Sequence, residues 1–301
     1  MNRFWNMMAG GLAVGCATAA GVAATPYKIL PLGDSITAGN EFPGGVGVSH
    51  GGYRPALYSM LNAAKPGGYD FVGSFAGTYP LPDGTTGVET PPTDPADAAA
   101  FATYDNNHTG VPGAAIYDFT PGLYGGYASP YDVSSIVTAT NPDAILLNLG
   151  TNDLQGFNLV NGNYSPADSP ADAVYSMEAL LTRIFAAKPT VKVYLGGLIG
   201  LPEGVNKGEY TNDRVEAFNG LLQSQVSHAF SAYDIQYVDL YNNAGLSRAP
   251  GSADFGANDL HPTDQGYDKI AAAWYAAVPE PTSLSLLGVG MLLLGRRQRR
   301  G

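Results

Sequence analysis

The feature that most constrains this chain is the regular exchange of short apolar runs with helix-length segments. Tyr27–Leu32, Tyr69–Gly73, Ala144–Leu149, Val191–Leu198 and Ile235–Leu240 read as strands. Tyr53–Ala64, Ala171–Ala187, Asp213–Phe230 and Asp264–Ala277 read as helices. The second of these carries Val174, Met177, Leu180, Leu181 and Ile184 at helical spacing. Strands that alternate with helices are joined by crossovers and so run parallel, with both sheet faces covered. The expectation is an α/β fold of three layers, built on a five-stranded, mostly parallel, doubly wound sheet.

One stretch resists this scheme. From Ser74 to about Pro130 the sequence is dense in Pro, Gly, Tyr, Asp and Asn. A loop this long inside a compact domain is functional or conceals short elements. It follows the second strand, so it is expected over the carboxyl edge of the sheet, where such folds place their sites.

The two ends read as processing segments. Residues 1–24 hold Arg3, then an apolar, small-residue stretch ending in Val22-Ala23-Ala24, which fits an export signal cleaved before Thr25. Cys16 is the only cysteine, so no internal disulfide can form, and Leu12 to Cys16 loosely resembles a bacterial lipobox. At the other end, Val278-Pro279-Glu280-Pro281 precedes an apolar stretch, Thr282 to Gly295, and then Arg296-Arg297-Gln298-Arg299-Arg300. This order resembles the PEP-CTERM sorting signal of Gram-negative bacteria, which implies cutting near the box by an exosortase. As a helix the apolar stretch would reach about 21 Å against a hydrocarbon core of roughly 30 Å, enough for transient membrane contact and marginal for a permanent anchor. The expected organisation is 1–24 signal peptide, 25–278 domain and 279–301 sorting signal.

Charge narrows the partners. Five of the 15 basic residues lie in those ends, together with one of the 26 acids, leaving 10 basic side chains against 25 acidic ones in the domain. A body this acidic repels phosphate backbones and anionic lipid, which disfavours nucleic acid and leaves neutral substrates open.

The residues suited to chemistry lie at strand ends. The first strand runs into Gly33-Asp34-Ser35-Ile36-Thr37, which places Ser35 at a strand-to-helix turn. Leu149-Gly150-Thr151-Asn152-Asp153 follows the third strand, and the Asn152 amide can serve a developing oxyanion. His108-Thr109-Gly110-Val111-Pro112-Gly113 is a Gly-rich turn whose backbone N–H groups can do the same. Asn258-Asp259-Leu260-His261-Pro262 brings an imidazole and an acid to the loop before the last helix. A serine hydroxyl needs such an imidazole as base, and an acceptor to hold its tautomer.

In this order the four blocks resemble those of the SGNH (GDSL-like) hydrolase superfamily over nearly all of residues 27–277. The resemblance implies a flavodoxin-like fold and a secreted serine esterase. Ser35 then matches the nucleophile and His261 the base, while the Ser35 N–H, Gly113 and Asn152 match the oxyanion hole. One position departs. The family's aspartate stands three residues before the histidine, where this chain has Asn258, so either Asp259 orients His261 or the enzyme runs on a Ser–His dyad. Gly51-Gly52-Tyr53-Arg54-Pro55-Ala56-Leu57, Asp70-Phe71-Val72-Gly73-Ser74 and the His108–Gly113 turn further resemble carbohydrate esterase family three. Its described members remove acetyl groups from xylan, which implies an acylated carbohydrate as substrate. Tyr104, Tyr117, Tyr124 and Tyr127 are candidates to stack on sugar rings. The competing readings are a short-chain lipase or thioesterase, and a carbohydrate-binding matrix protein without turnover.

The remaining polar residues are read more plainly. Asp153 braces its loop, His50 and His228 lie at the surface, and His108 matches a carbohydrate-esterase position or binds backbone. Asp94, Asp97 and Asp105 are candidates for Ca²⁺, without EF-hand spacing. The sequence has no GxGxxG or P-loop pattern and no zinc-type Cys/His cluster, so the expectation is an enzyme without cofactor or metal.

Overall fold

A computed structural model describes residues 25–41, 48–81, 84–123, 130–155, 169–256 and 260–278. The expected signal peptide with Cys16, the sorting segment, Asn258, Asp259, Tyr124 and Tyr127 lie outside these residues. Among the described residues no helix is long and apolar enough to cross a membrane.

The central sheet has seven strands: β1 (Tyr27–Gly33), β2 (Tyr69–Phe71), β3 (Phe75–Ala76), β4 (Asn107–Gly110), β5 (Ala144–Asn148), β6 (Lys192–Gly196) and β7 (Ile235–Val238). Five of them, in the order β2-β1-β5-β6-β7, are parallel and correspond to the five runs read from the sequence. The other two come from the stretch that resisted the pattern. β4 pairs in parallel with Leu32 and Gly33 beyond the point where β2 leaves β1, and β3 lies antiparallel on β4. The same stretch also folds a small antiparallel ribbon, Thr78–Pro80 with Thr86–Val88, and a helix, Pro95–Phe101.

Each central strand is buried on both sides, and its alternating side chains serve two separate cores. Leu30, Leu32, Ile145, Leu147, Val193 and Leu195 face one cluster, with Val133, Val137, Met177, Leu181, Ile184 and Phe218 from the covering helices. Ile29, Ala144, Leu146 and Tyr194 face the other, with Leu57, Leu61, Ile270 and Trp274.

The helices that matter here are α1 (Ser35–Ala38), α2 (Arg54–Ala64), α3 (Val133–Thr140), α4 (Thr151–Gln155), α5 (Pro170–Ala187), α6 (Asn212–Leu221) and α7 (Asp264–Ala277). Their starts follow capping rules. Asp132, Ser169, Thr211 and Thr263 each accept a backbone N–H of the first turn, and Pro170 takes the first position of α5, where no donor is needed. The segment expected as one helix, Asp213–Phe230, is α6 continued through a π-helical turn at Leu222–Val226 and a last short turn, Ser227–Ala229. Tyr53, at the head of α2, packs on Trp274 of α7 with ring centroids 6.0 Å apart, tying together the two helices of one face.

Candidate active site

Ser35 opens α1 immediately beyond β1. The turn is tight enough to require glycine at Gly33, where a Cβ would run into the Thr37 hydroxyl and come within 2.5 Å of the Asn148 carbonyl. Asp34 caps the new helix by accepting the Ile36 N–H at 2.9 Å. Asp34 is fully buried, and burial raises its carboxyl to about 6 against hydrogen bonds that include one from Thr151.

His261 reaches the same place from the far end of the chain. Its loop is pinned by backbone: the His261 carbonyl accepts the Gly256 N–H at 2.9 Å, and the Thr263 N–H donates to Asp254 at 3.0 Å. The Asp254 side chain, itself buried, accepts the Ser247 N–H at 2.6 Å and Lys269 Nζ at 2.7 Å. Held this way, His261 Nε2 lies 2.8 Å from Ser35 Oγ, with Ser35 7% and His261 6% exposed. Burial pushes the His261 imidazole down to about 4, so the ring is neutral at neutral pH and can offer Nε2 as an acceptor.

The opposite wall comes from the β4 and β5 ends. The Val111 N–H donates to the Gly33 carbonyl at 2.9 Å, which lays the Val111–Gly113 turn against the serine turn. Gly113 sits there at φ +78°, a conformation that L side chains resist. Asn152, on α4, donates its side-chain N–H to the Ala114 carbonyl at 2.9 Å and is 6% exposed. One amide N–H is thereby used, and the group carries two. Asp153 braces this wall as expected, accepting the Ile116 N–H at 3.0 Å. Its burial, with Asp118 nearby, raises its carboxyl to about 7. The structure therefore gathers Ser35, Gly113, Asn152 and His261 at the carboxyl edge beside β1 and β5, where the chain reverses its direction of travel across the sheet. Asp259 and Asn258 fall outside the described residues.

Sequence reasoning missed what holds α1 from behind. Arg54 is fully buried. Its Nε donates to the Thr37 carbonyl at 2.9 Å and Nη2 to that of Ala38 at 3.3 Å, satisfying the carboxyl end of the helix that Ser35 begins. Nη2 also pairs with the buried Glu89, which accepts from the Tyr104 hydroxyl as well. Burial alone would raise Glu89; Arg54 and His108 beside it hold it down at about 2. Glu89 stands 35 residues from Arg54 with no motif around it, so no sequence signal pairs them.

Several side chains take roles other than those expected. Tyr104 is half-buried, its hydroxyl tied into this network and its ring set against Arg54 and Phe101, and Tyr117 is buried. His108 binds backbone: Nδ1 accepts the Gly110 N–H at 2.9 Å, so Nε2 carries the hydrogen toward the Thr78 carbonyl at 2.9 Å. Asp94 caps the Pro95–Phe101 helix and Asp105 accepts the Phe71 N–H. Among the described residues Asp94, Asp97 and Asp105 form no cation-binding group. His228 is exposed as expected, but His50 is not a free surface residue: its side chain is 15% exposed and meets Asp264 at 3.1 Å. Its partner lies 214 residues away, which local pattern cannot reveal.

Comparison with known proteins identifies the family. Residues 32–269 match the GDSL-like Lipase/Acylhydrolase family, and residues 277–300 match the PEP-CTERM protein-sorting motif. A multidomain esterase of Ruminococcus flavefaciens is 28% identical over 262 residues, 84% of this chain. The chain spans 28% of that protein's length and 53% of a second curated relative's, about a quarter to a half of the relatives it matches. Two solved structures share the fold. The family 3 carbohydrate esterase of Clostridium thermocellum is 24% identical with a TM-score of 0.52, covering 83% of this chain and 94% of its own. That of Talaromyces cellulolyticus is 22% identical with a TM-score of 0.57, covering 87% and 98%.

Proposed function

The chain belongs to the GDSL-like lipase/acylhydrolase family, and from that premise we propose that it removes O-acetyl groups from a polysaccharide through an acyl-Ser35 intermediate. Membership makes it an esterase, a carboxylic ester hydrolase of the SGNH type, and the sorting motif makes it an exported, surface-sorted protein. The acetyl group, the polymer and the residue roles are the proposed part. The observation that carries the roles is the 2.8 Å approach of His261 Nε2 to Ser35 Oγ at a buried strand-end turn.

In this reading Ser35 Oγ attacks the ester carbonyl carbon while its proton passes to His261 Nε2. The oxyanion is held by the Ser35 and Gly113 backbone N–H groups and by the second amide N–H of Asn152. The tetrahedral intermediate collapses, the C–O bond to the sugar breaks, and the departing oxygen takes the proton from His261. Water, deprotonated by the same nitrogen, then hydrolyses the acyl-serine and releases acetate. Asp259 is proposed to accept the Nδ1–H and stabilise the imidazolium, with Asn258 as the alternative.

The sugar substrate is supported by the two solved carbohydrate esterases, whose whole length this chain nearly spans, and by a domain too acidic for anionic lipid. We further propose residues 25–278 as the hydrolase domain, freed by a signal peptidase before Thr25 and by an exosortase near Pro279-Glu280-Pro281, and working in a Gram-negative envelope or matrix.

The test is acetate release by the full-length chain from acetylated xylan and from 4-nitrophenyl acetate, beside Ser35→Ala. Release from both that vanishes in the variant supports the reading. Release from the nitrophenyl ester alone would keep the esterase and overturn the polymer, and turnover that persists in Ser35→Ala would overturn the nucleophile.

A further inference from the structure

We propose that Glu41, His50 and Asp264 form a binding site for a divalent cation of the zinc type, separate from the Ser35–His261 pair. The three residues come from different parts of the chain. Glu41 ends a short strand, Asn40–Glu41, that leads away from α1; His50 follows its partner strand, Val48–Ser49; Asp264 is the first residue of α7. Their donor atoms all lie within 4.8 Å of one another. His50 Nδ1 is 3.1 Å and 3.2 Å from the two Asp264 oxygens and 3.7 Å from Glu41 Oε1. A cation with bonds of about 2.0–2.2 Å separates neighbouring donors by roughly 3.0–3.5 Å, so the group already stands near coordination spacing.

A second, independent observation points the same way. Glu41 is only 8% exposed, and its Oε1, the oxygen turned toward His50, is buried and has no hydrogen-bond partner among the described residues. A buried carboxyl oxygen without a donor is costly, and the rest of the Glu41 carboxyl is hydrogen-bonded to Asp264, so that two acids share one proton across the same small space. A cation between them would displace that proton and give Oε1 a partner. His50 and Asp264 keep 15% and 28% side-chain exposure, which leaves a way in from solvent.

The donor set selects the metal. One imidazole nitrogen with two carboxylates suits zinc, whereas calcium favours an all-oxygen shell of six to eight donors. Three protein donors leave a fourth position for water. Asp97 and Asp268 line the crevice that His50 and Asp264 border, and burial together with the crowding of acids raises both carboxyls. Bound there, the cation would clamp the segment after the Ser35 helix to the helix that follows His261.

The experiment uses the untagged full-length chain, stripped with a chelator and dialysed against zinc. We expect one zinc per chain, bound at least tenfold more weakly by Glu41→Gln and by His50→Ala, each checked for native circular dichroism. Zinc at a hundredfold excess over its Kd should raise the Tm of the unsubstituted chain by about 5–10 °C. Cobalt(II) in place of zinc should give visible d–d bands that zinc displaces, a readout that needs no variant. No uptake from a large excess of zinc, uptake unchanged in both variants, or calcium bound in preference to zinc would each overturn the proposal.

Discussion

His261 Nε2 and Ser35 Oγ stand 2.8 Å apart although 226 residues of chain separate them. The contact depends on two anchors. One is the glycine turn that delivers Ser35 from β1, and the other is the backbone pairing of the His261 loop with residues 254–256.

If the two act as one unit, their removal is not additive. Ser35→Ala and His261→Ala should each lower kcat on 4-nitrophenyl acetate by about 10⁴–10⁶, and the double variant should fall no further. Losses that multiply in the double variant would show the residues acting separately.

Asn152 should be felt in kcat more than in KM. Asn152→Ala removes the proposed oxyanion donor, at a cost of about 10²–10³ in kcat with KM nearly unchanged. It also removes the bond to the Ala114 carbonyl, so a thermal melt belongs beside the kinetics. A variant that melts like the parent and keeps its kcat would take Asn152 out of the mechanism.

The pH profile has a definite sign. The base acts in its neutral form, and burial moves that imidazole from 6.5 down to about 4. The ring therefore stays competent as pH falls through the ordinary histidine range, and kcat/KM should lose activity only near pH 4, with a slope of about one decade per unit below it. For stability the window is the same. The unfolded chain takes up the proton near 6.5 and the folded chain near 4, so the contribution is complete above 6.5 and lost as pH falls toward 4. With neutral Asn258 at Nδ1 the limb should stay near pH 4, whereas an acid limb at 6.5 or higher in a stopped assay series would show the Asp259 carboxylate overriding the burial of His261.

Arg54 and Glu89 should behave as a buried pair. Arg54→Met strands the Glu89 carboxylate and should cost about 3–5 kcal/mol in urea unfolding, whereas Arg54→Met with Glu89→Gln should recover much of it. Because Arg54 also holds the Thr37 and Ala38 carbonyls, both variants should lose activity beyond what stability explains. Full activity in a folded Arg54→Met chain would separate the network from the serine turn.

The parallel sheet was legible because its strands are apolar on both faces. Ala144–Asn148 is buried at every residue and needs no polar alternation to be recognised. β4 was not legible, since Asn107-His108-Thr109-Gly110 contains no apolar run and becomes a strand only by pairing with the end of β1. The same divide holds for the candidate site. Ser35, Gly113, Asn152 and His261 sit in short stretches whose order along the chain is informative. The Arg54–Glu89 pair and the Glu41–His50–Asp264 group join residues far apart in the chain, which no local stretch pairs. Nothing in the polar segment around Tyr104 gives a local sign of the Glu89 it binds.

The course of α7 has a topographic consequence. It starts at the His261 loop, on the carboxyl edge, and its 14 residues carry the chain about 21 Å to the buried Val278, on the amino edge where Tyr27 also begins β1. The described domain thus begins and ends at one pole, and the Ser35–His261 pair lies at the other.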